Sequence, residues 1–299
     1  MKLSNIFLST LAVLLCCTAC SKDEESFKGK DADASLSIAV KAAGSAVTKG
    51  FHPNDENELA GEAKVNNLSV LVFDESGAQL IGYGWQATNS EGEASILNVP
   101  AMTMRAQIVI VSNTPENSLA GVTSYSDFES KLAQLADQSQ SNLVMSSPVI
   151  TTQAPLVKGD NYLGYASMGS ENINGIAEPV EITRLAARLD LVNVKTDFTK
   201  TLLRNRTVRV EEVTILNQST ASRFFSRDYW GVVMATGHLG NSDATALNRD
   251  IANGSPINDT PYVHYVMEND GSEAPTEIQV RATLLETDTY EAETKYSPP

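Results

Sequence analysis

The apolar residues of this chain recur mainly with the two-residue period of β-strands. Leu36, Ile38 and Val40 alternate with small or polar residues, as expected of a strand with one buried face. Short runs rich in Val, Ile, Leu and Thr follow at the spacing typical of β-sandwich proteins. They predict further strands at 65–73, 94–99, 104–111, 143–152, 208–217, 230–235, 262–267 and 277–285. The predicted fold class is therefore all-β.

One segment departs from this period. Ser126 and Glu129 form a capping box, and Phe128, Leu132 and Leu135 follow at helical spacing. This pattern predicts one short helix, at 126–137, that covers a face of the sheet. A polar connection is expected at 169–175 and a long loop, rich in Asn, Ser and Asp, at 238–260.

The predicted strands fall into two blocks, with a boundary near 179–184. A length of 299 residues suits one large or two moderate domains. We expect two all-β domains in series, at 34–180 and 181–299.

Residues 1–19 have the features of an export signal. Lys2 precedes an apolar run of roughly ten residues, which is too short to span a membrane. Small residues then lead to Cys20, and this junction resembles a bacterial lipobox, with Cys17 where that pattern usually has Leu. The resemblance implies acylation of Cys20 and an anchor in the outer membrane of a Gram-negative bacterium. A plain secretory signal with incidental cysteines is the alternative.

Residues 20–33 are polar and are predicted to form an acidic linker. Their first part, 21–25, resembles the acidic surface-export tag of lipoproteins in the phylum Bacteroidota. A solvated stalk that carries no export signal explains the same composition.

Charge and cysteine content narrow the possible functions. The 22 Lys and Arg residues against 37 Asp and Glu give a formal charge of −15, which argues against a nucleic-acid partner. All three cysteines lie at or before Cys20, so a disulfide framework in the body of the chain is excluded.

No catalytic motif stands out. His52, His238 and His264 are far apart in sequence, and no nucleophile elbow, dinucleotide fingerprint or phosphate loop occurs. The acidic run 55–58 lacks the glycine of a calcium loop, so it supports a cation site only weakly. We therefore expect no catalytic residues, no metal site, no cofactor and no enzymatic activity.

The segment 42–60 has neither strand nor helix periodicity. A loop of roughly 20 residues without its own structure is unusual and is commonly functional or disordered. A trypsin-like protease could cut it between Lys49 and Gly50, or alternatively between Lys41 and Ala42. Cleavage would detach the strand 34–41 and leave a sheet edge that another strand can pair with. A surface loop with no such role is the simpler interpretation.

The order of these features resembles the fimbrillins of Bacteroidales, the subunits of type V pili. The resemblance rests on the lipobox, the first strand, the cleavable loop and the helix at 126–137. It also rests on three strand segments: 63–74, 105–113 and 184–190.

The resemblance implies two tandem transthyretin-like Greek-key β-sandwich domains and a location on the cell surface. It implies a trypsin-like maturation protease that removes the Cys20 anchor together with the displaceable strand containing Leu36, Ile38 and Val40. Other fimbrial subunits would then be the partners, each contributing a strand to the vacated groove of its neighbour, in a fimbria that supports adhesion.

Two features depart from that family. Its stalk subunits are typically matured after arginine, whereas Arg105 is the first arginine here. Either the protease accepts Lys49, or the chain is an uncut anchor or accessory subunit. The sequence also ends at Pro299 where the family continues with further strands, so we expect an incomplete second domain or a terminating subunit.

A surface glycan-binding lipoprotein of a nutrient-uptake system is the alternative function. Such a protein needs exposed aromatic side chains, and Trp85 with Tyr83, or Trp230 with Tyr229, could form a platform. Packing in the core is the more ordinary role for both pairs.

Overall fold

The structure is a computed structural model, which describes residues 32–43, 59–191, 194–224, 243–254, 262–269, 275–285 and 294–295. In the first half, the described elements are β1 (Ala34–Ala42), β2 (Lys64–Asp74), β3 (Leu80–Glu91), β4 (Glu93–Ala101), β5 (Ala106–Ser112), α1 (Tyr125–Ser130), β6 (Leu132–Gln134), β7 (Met145–Ser146), β8 (Ile150–Thr151), β9 (Gly159–Leu163) and β10 (Val180–Arg184). In the second half they are β11 (Ala186–Leu191), β12 (Thr207–Leu216), β13 (Ala221–Arg223), β14 (Asp243–Ala252), β15 (Tyr262–Met267), β16 (Glu277–Leu285) and β17 (Thr294–Lys295). The predicted all-β class is confirmed, whereas the tandem transthyretin-like arrangement stays a prediction.

The strands of the first half form a closed hydrogen-bonded circuit. Their order is β1-β4-β3-β2-β5-β7-β10, and β10 pairs again with β1. Two strands extend this circuit: β8 joins the edge of β5 that also carries β7, and β9 joins the edge of β1 that also carries β10. Because the circuit closes through β1, this strand has a partner on each side.

β2 and β5 are buried on both faces, which explains their continuous apolar sequences. Val70 and Val72 of β2 face a first core, which lies inside the circuit. Leu71 and Phe73 face a second core on the outside. A strand covered on both sides has no polar face, so its sequence loses the two-residue alternation.

The second core joins the two halves of the chain. The outer faces of β2 and β5 and the helix α1 contribute from the first half. Leu185, Phe224 and Met267 contribute from the second half. The rings of Phe128 and Phe224 stack across this junction with centroids 5.8 Å apart.

Smaller sheets build the second half. β12 pairs with β14 on one edge and β16 on the other, and β17 pairs with β16. β11 pairs with β15. β13 instead pairs with β6, so one small sheet contains strands from both halves. β10 belongs to the circuit of the first half, so that sheet extends to Arg184 rather than ending at residue 180.

The predicted helix at 126–137 is wrong in its bounds. Ser124, not Ser126, is the N-cap, and its side chain accepts a hydrogen bond from the Asp127 N–H at 3.1 Å. The helix ends at Ser130, since Lys131 is extended. The next residues form β6, because Leu132–Gln134 pair with β13 instead of continuing the helix.

Other predicted segments also differ from the structure. The expected long loop at 238–260 contains β14, which is antiparallel to β12. The single run at 143–152 is two short strands, β7 and β8. The predicted strand at 230–235 lies outside the described residues.

Candidate functional site: the first strand and its groove

β1 lies in a slot bounded by β4 on one side and by β9 and β10 on the other; we call this slot the β1 groove. Leu36, Ile38 and Val40, the three residues predicted for the displaceable strand, are all 0% exposed. They point into the first core, as their alternation with small residues predicts. Burying one such aliphatic side chain contributes about 1.5–3 kcal/mol. The three together therefore hold β1 firmly in the groove.

The pairing between β1 and β4 contains a bulge. Leu36 lies opposite Val99 and Ile38 opposite Ile96, so two residues of β4 face the single residue Ser37. Asn98, in the bulge, has a φ of 56°, and its backbone N–H donates to Ser37 Oγ at 3.3 Å. A side-chain hydroxyl of β1 thus replaces the backbone partner that the bulge removes.

The opposite edge of β1 pairs with two strands in succession. β9 runs parallel to residues 34–38 of β1, and β10 runs parallel to residues 40–42. Gly164 follows β9 and has a φ of 87°. A Cβ atom on Gly164 would lie 2.6 Å from the Ala39 carbonyl oxygen, so this close approach requires glycine.

Polar groups fix the N-terminal end of β1. Thr103 donates to Asp33 Oδ1 twice, from its backbone N–H at 2.9 Å and its hydroxyl at 2.7 Å. The hydroxyl bond first, and then the backbone bond, lower the pKa of the Asp33 carboxyl below its usual value. Ser35 Oγ donates to Asp160 Oδ1 at 2.6 Å, and Asn161 donates to the Ser35 carbonyl at 3.1 Å.

The C-terminal end of β1 is also paired on both sides. Lys41 lies opposite Glu93 of β4 and opposite Glu181 of β10. The Ala42 N–H donates to the Gly92 carbonyl at 2.7 Å, on the β4 side. The alternative cleavage site, Lys41–Ala42, therefore lies inside a paired strand. A protease could reach that bond only after the end of β1 leaves the sheet.

The other predicted site residues lie outside the part of the chain that the structure describes. This applies to the lipidation site Cys20 and to the expected cleavage site, Lys49 and Gly50. The described chain resumes at Leu59.

Glu62, close after this resumption, was not predicted from the sequence. Its side chain is 5% exposed and forms an ion pair with Arg188 at 2.7 Å. Its carboxylate also accepts from the Leu59 N–H at 2.9 Å and from the Tyr265 hydroxyl at 2.7 Å. Arg184 Nε donates to the Glu62 carbonyl at 2.9 Å. Glu62 therefore fastens the segment after the loop to the second half of the chain, independently of β1.

No local pattern distinguishes Glu62 from the other acidic residues. Its partners Arg184, Arg188 and Tyr265 lie 122 to 203 positions away along the chain. Its immediate neighbours, Gly61 and Ala63, are small and do not by themselves indicate that its carboxylate is buried.

The aromatic platform predicted for glycan binding is not supported on β3. Tyr83 is half-buried and packs against the second core. Trp85 is half-buried as well, and its indole nitrogen is shielded from solvent. Tyr229 and Trp230 lie outside the described residues.

Within the described residues, no group of three or more His, Cys, Asp or Glu side chains could hold a metal ion. The described helices are all too short or too polar to cross a membrane.

Two family models match this chain in succession. Residues 34–184 match the major fimbrial subunit protein FimA, and residues 185–297 match the C-terminal domain of Fim1C-like fimbrium tip subunits. The first of these spans β1 through β10. The chain belongs to the Bacteroidales fimbrillin family. Its membership confirms the resemblance that the sequence motifs indicated.

Relatives of this fimbrillin include proteins of Parabacteroides and Porphyromonas. It is 46% identical to a Parabacteroides distasonis protein named as a fimbrium tip subunit, Fim1C, over 98% of this chain and 78% of that one. It is 26% identical to the major fimbrium subunit FimA type-2 of Porphyromonas gingivalis, over 96% of this chain and 74% of that one. These relatives are fimbrial subunits and not enzymes.

Solved structures share the fold. A Parabacteroides distasonis cell adhesion protein superposes with a TM-score of 0.79 at 45% identity, over 87% of this fimbrillin and 78% of that protein. A fimbrillin of Porphyromonas gingivalis superposes with a TM-score of 0.53 at 16% identity, over 85% and 71%. The protein is therefore a subunit of a cell-surface fimbrium of a Gram-negative bacterium.

Proposed function

We propose that this fimbrial subunit assembles by strand exchange in the β1 groove. A trypsin-like protease cuts the loop 42–60 after Lys49, and β1 leaves together with the Cys20 anchor. A strand of another fimbrial subunit then occupies the groove. The subunit reaches the surface as an outer-membrane lipoprotein, and the fimbria supports adhesion.

One observation carries this proposal: β1 closes the circuit, yet the chain after the loop is fastened without it. Glu62 accepts hydrogen bonds from Arg188 and Tyr265 of the second half, and from the Leu59 N–H. Departure of β1 would thus leave these contacts intact while exposing the edges of β4, β9 and β10. Unpaired edges over an apolar slot favour the addition of a strand.

The position in the fimbria is part of the proposal. The 46% identity to Fim1C and the match of residues 185–297 to Fim1C-like subunits support a place at the tip. If the chain is instead an uncut anchor or accessory subunit, the loop should stay intact in the assembled fimbria.

Limited trypsin treatment of the chain from Cys20 onward tests the exchange. We expect a new N-terminus at Gly50, followed by growth of oligomers in size-exclusion chromatography with light scattering. The Lys49→Gln variant is the control and should remain uncut at this position and monomeric. A wild-type chain that is cut at Lys49, loses β1 and stays monomeric at high concentration would contradict the proposal.

Acylation is tested separately in cells. We expect an alkyne analogue of palmitate to label the wild-type precursor and not a Cys20→Ser variant. Equal labelling of the two proteins would contradict the lipoprotein assignment.

A further inference from the structure

We propose that the β1 groove selects its incoming strand by side-chain chemistry. The pattern is an aliphatic residue at the positions of Leu36, Ile38 and Val40, a hydroxyl at that of Ser37 and a basic residue at that of Lys41. This inference rests on the strand exchange proposed above and specifies its partner.

The basic residue follows from the charges at the end of the groove. Lys41 lies directly between Glu93 and Glu181, its register partners on the two neighbouring strands. All three side chains lie on the outer face, because Val40 next to Lys41 points inward. When β1 leaves, these two carboxylates face each other across the empty slot. A cation at this position attracts both, whereas an acidic residue is repelled by both.

The hydroxyl follows from the bulge in β4. Asn98 donates its backbone N–H to Ser37 Oγ. Ser37 is only 7% exposed, so the position accepts a small side chain. An incoming strand with an aliphatic residue here offers no acceptor to this N–H.

These features also fix the direction of the strand. The acceptor Asp160 and the donor Asn161 lie at one end of the groove, and Glu93 and Glu181 lie at the other. A strand that enters in the opposite direction takes its basic residue away from Glu93 and Glu181 and its hydroxyl away from the bulge. We therefore expect the new strand to run parallel to β9 and β10, as β1 does.

Synthetic peptides test the pattern on the full chain after cleavage at Lys49. The probe is a fluorescent peptide with the β1 sequence, ASLSIAVKA, and its uptake is measured by anisotropy. Replacing its Lys by Glu should weaken binding about tenfold at low salt, since two attractions become two repulsions. The Gln peptide is the matched control, and its affinity should lie between those of the Lys and Glu peptides. The difference should shrink in 1 M salt, because salt screens exposed charges.

Two further arms complete the test. The peptide in which Val replaces the Ser equivalent to Ser37 should bind about tenfold more weakly than the probe, because the Asn98 N–H loses its acceptor. In a Glu93→Lys, Glu181→Lys double variant, the preference for Lys over Glu should invert.

The outcomes separate this inference from the one on which it rests. Equal uptake of the Lys, Glu and Val peptides overturns the selection while leaving strand exchange in place. Uptake of none of them, including the β1 peptide, overturns strand exchange and the selection together.

Discussion

Two acidic residues hold the chain on either side of β1 and the loop that follows it. Asp33, just before β1, accepts both hydrogen bonds of Thr103. Glu62, after the loop, binds Leu59, Arg188 and Tyr265. Asp33 is exposed and belongs to the part that would leave, while Glu62 is buried and belongs to the part that would stay. Their roles in stability should differ accordingly.

Replacing Glu62 by Gln should lower the free energy of unfolding by about 1–3 kcal/mol, because Arg188 loses its ionic partner in a largely buried site. Urea denaturation followed by tryptophan fluorescence measures the change. Glu75→Gln is the matched control: Glu75 pairs with Arg105, both are exposed, and its loss should change stability by less than about 0.5 kcal/mol. Equal effects in the two variants would show that Glu62 is not a structural fastener.

Asp33 should make the attachment of β1 depend on pH. Its pKa is lowered in the folded state, so it stabilises the fold above the unfolded pKa of about 3.9, and this contribution disappears as pH falls through the lower folded value. The Asp33→Asn variant should therefore have a lower melting temperature than the wild type at pH 7, and the same melting temperature at pH 2.5. Thermal unfolding at the two pH values gives the comparison. A difference in melting temperature between the two proteins that persists at pH 2.5 would contradict this role of Asp33.

At the scale of elements, β1 was predicted well because its information is local. Alternating aliphatic and small residues over 34–40 specify one buried face, and the structure has a strand at Ala34–Ala42. α1 and β14 show the opposite case. Phe128 and Leu132 have helical spacing, but Leu132 pairs with Arg223 of a distant strand. β14 has a polar sequence and is a strand because β12 provides its partner. Tertiary pairing overrides local pattern in both elements.

The fit of β1 against the end of β9 gives a prediction at this scale. Gly164→Ala should destabilise the uncut chain by about 1–3 kcal/mol beyond the effect of its positive φ, because the new Cβ meets the Ala39 carbonyl oxygen. Gly159→Ala is the control. Gly159 has the same φ of 87°, but nothing lies within 4 Å of the position that its new Cβ would occupy. If both variants lose the same stability, β1 does not depend on this contact. Native-state hydrogen exchange of β1 amides gives a second readout.

At the scale of the molecule, the second core joins the two halves into one unit. Phe224 of the second half is 4% exposed and stacks on Phe128 of α1. The apolar sequence of β2 indicated burial on both faces. Which half of the chain packs against its outer face depends on contacts between distant segments, which the local sequence does not show. For the same reason the Glu62 site could not be predicted. The aliphatic positions of β1 in its groove, in contrast, could be predicted from the sequence.

Phe224→Ala should cost about 3–5 kcal/mol, as expected for a large aromatic side chain removed from a core. Since the lost contacts join the halves, we expect calorimetry to show two separated transitions where the wild type shows one. Leu202→Ala, at a position 88% exposed, should leave the thermogram unchanged. A single transition at lower temperature would mean that the remaining contacts suffice to couple the halves.

The closure of the circuit through β1 has a consequence for the order of folding. Ser35 pairs in space with Asp160, 125 residues later, and Val40 pairs with Val180. Contacts so distant in sequence form late, because the intervening chain must first be ordered. The first strand to leave the ribosome thus cannot be fully paired until the tenth has been made. The precursor therefore passes through a state with its slot open before β1 fills it, and in that state the slot is already accessible to a competing strand.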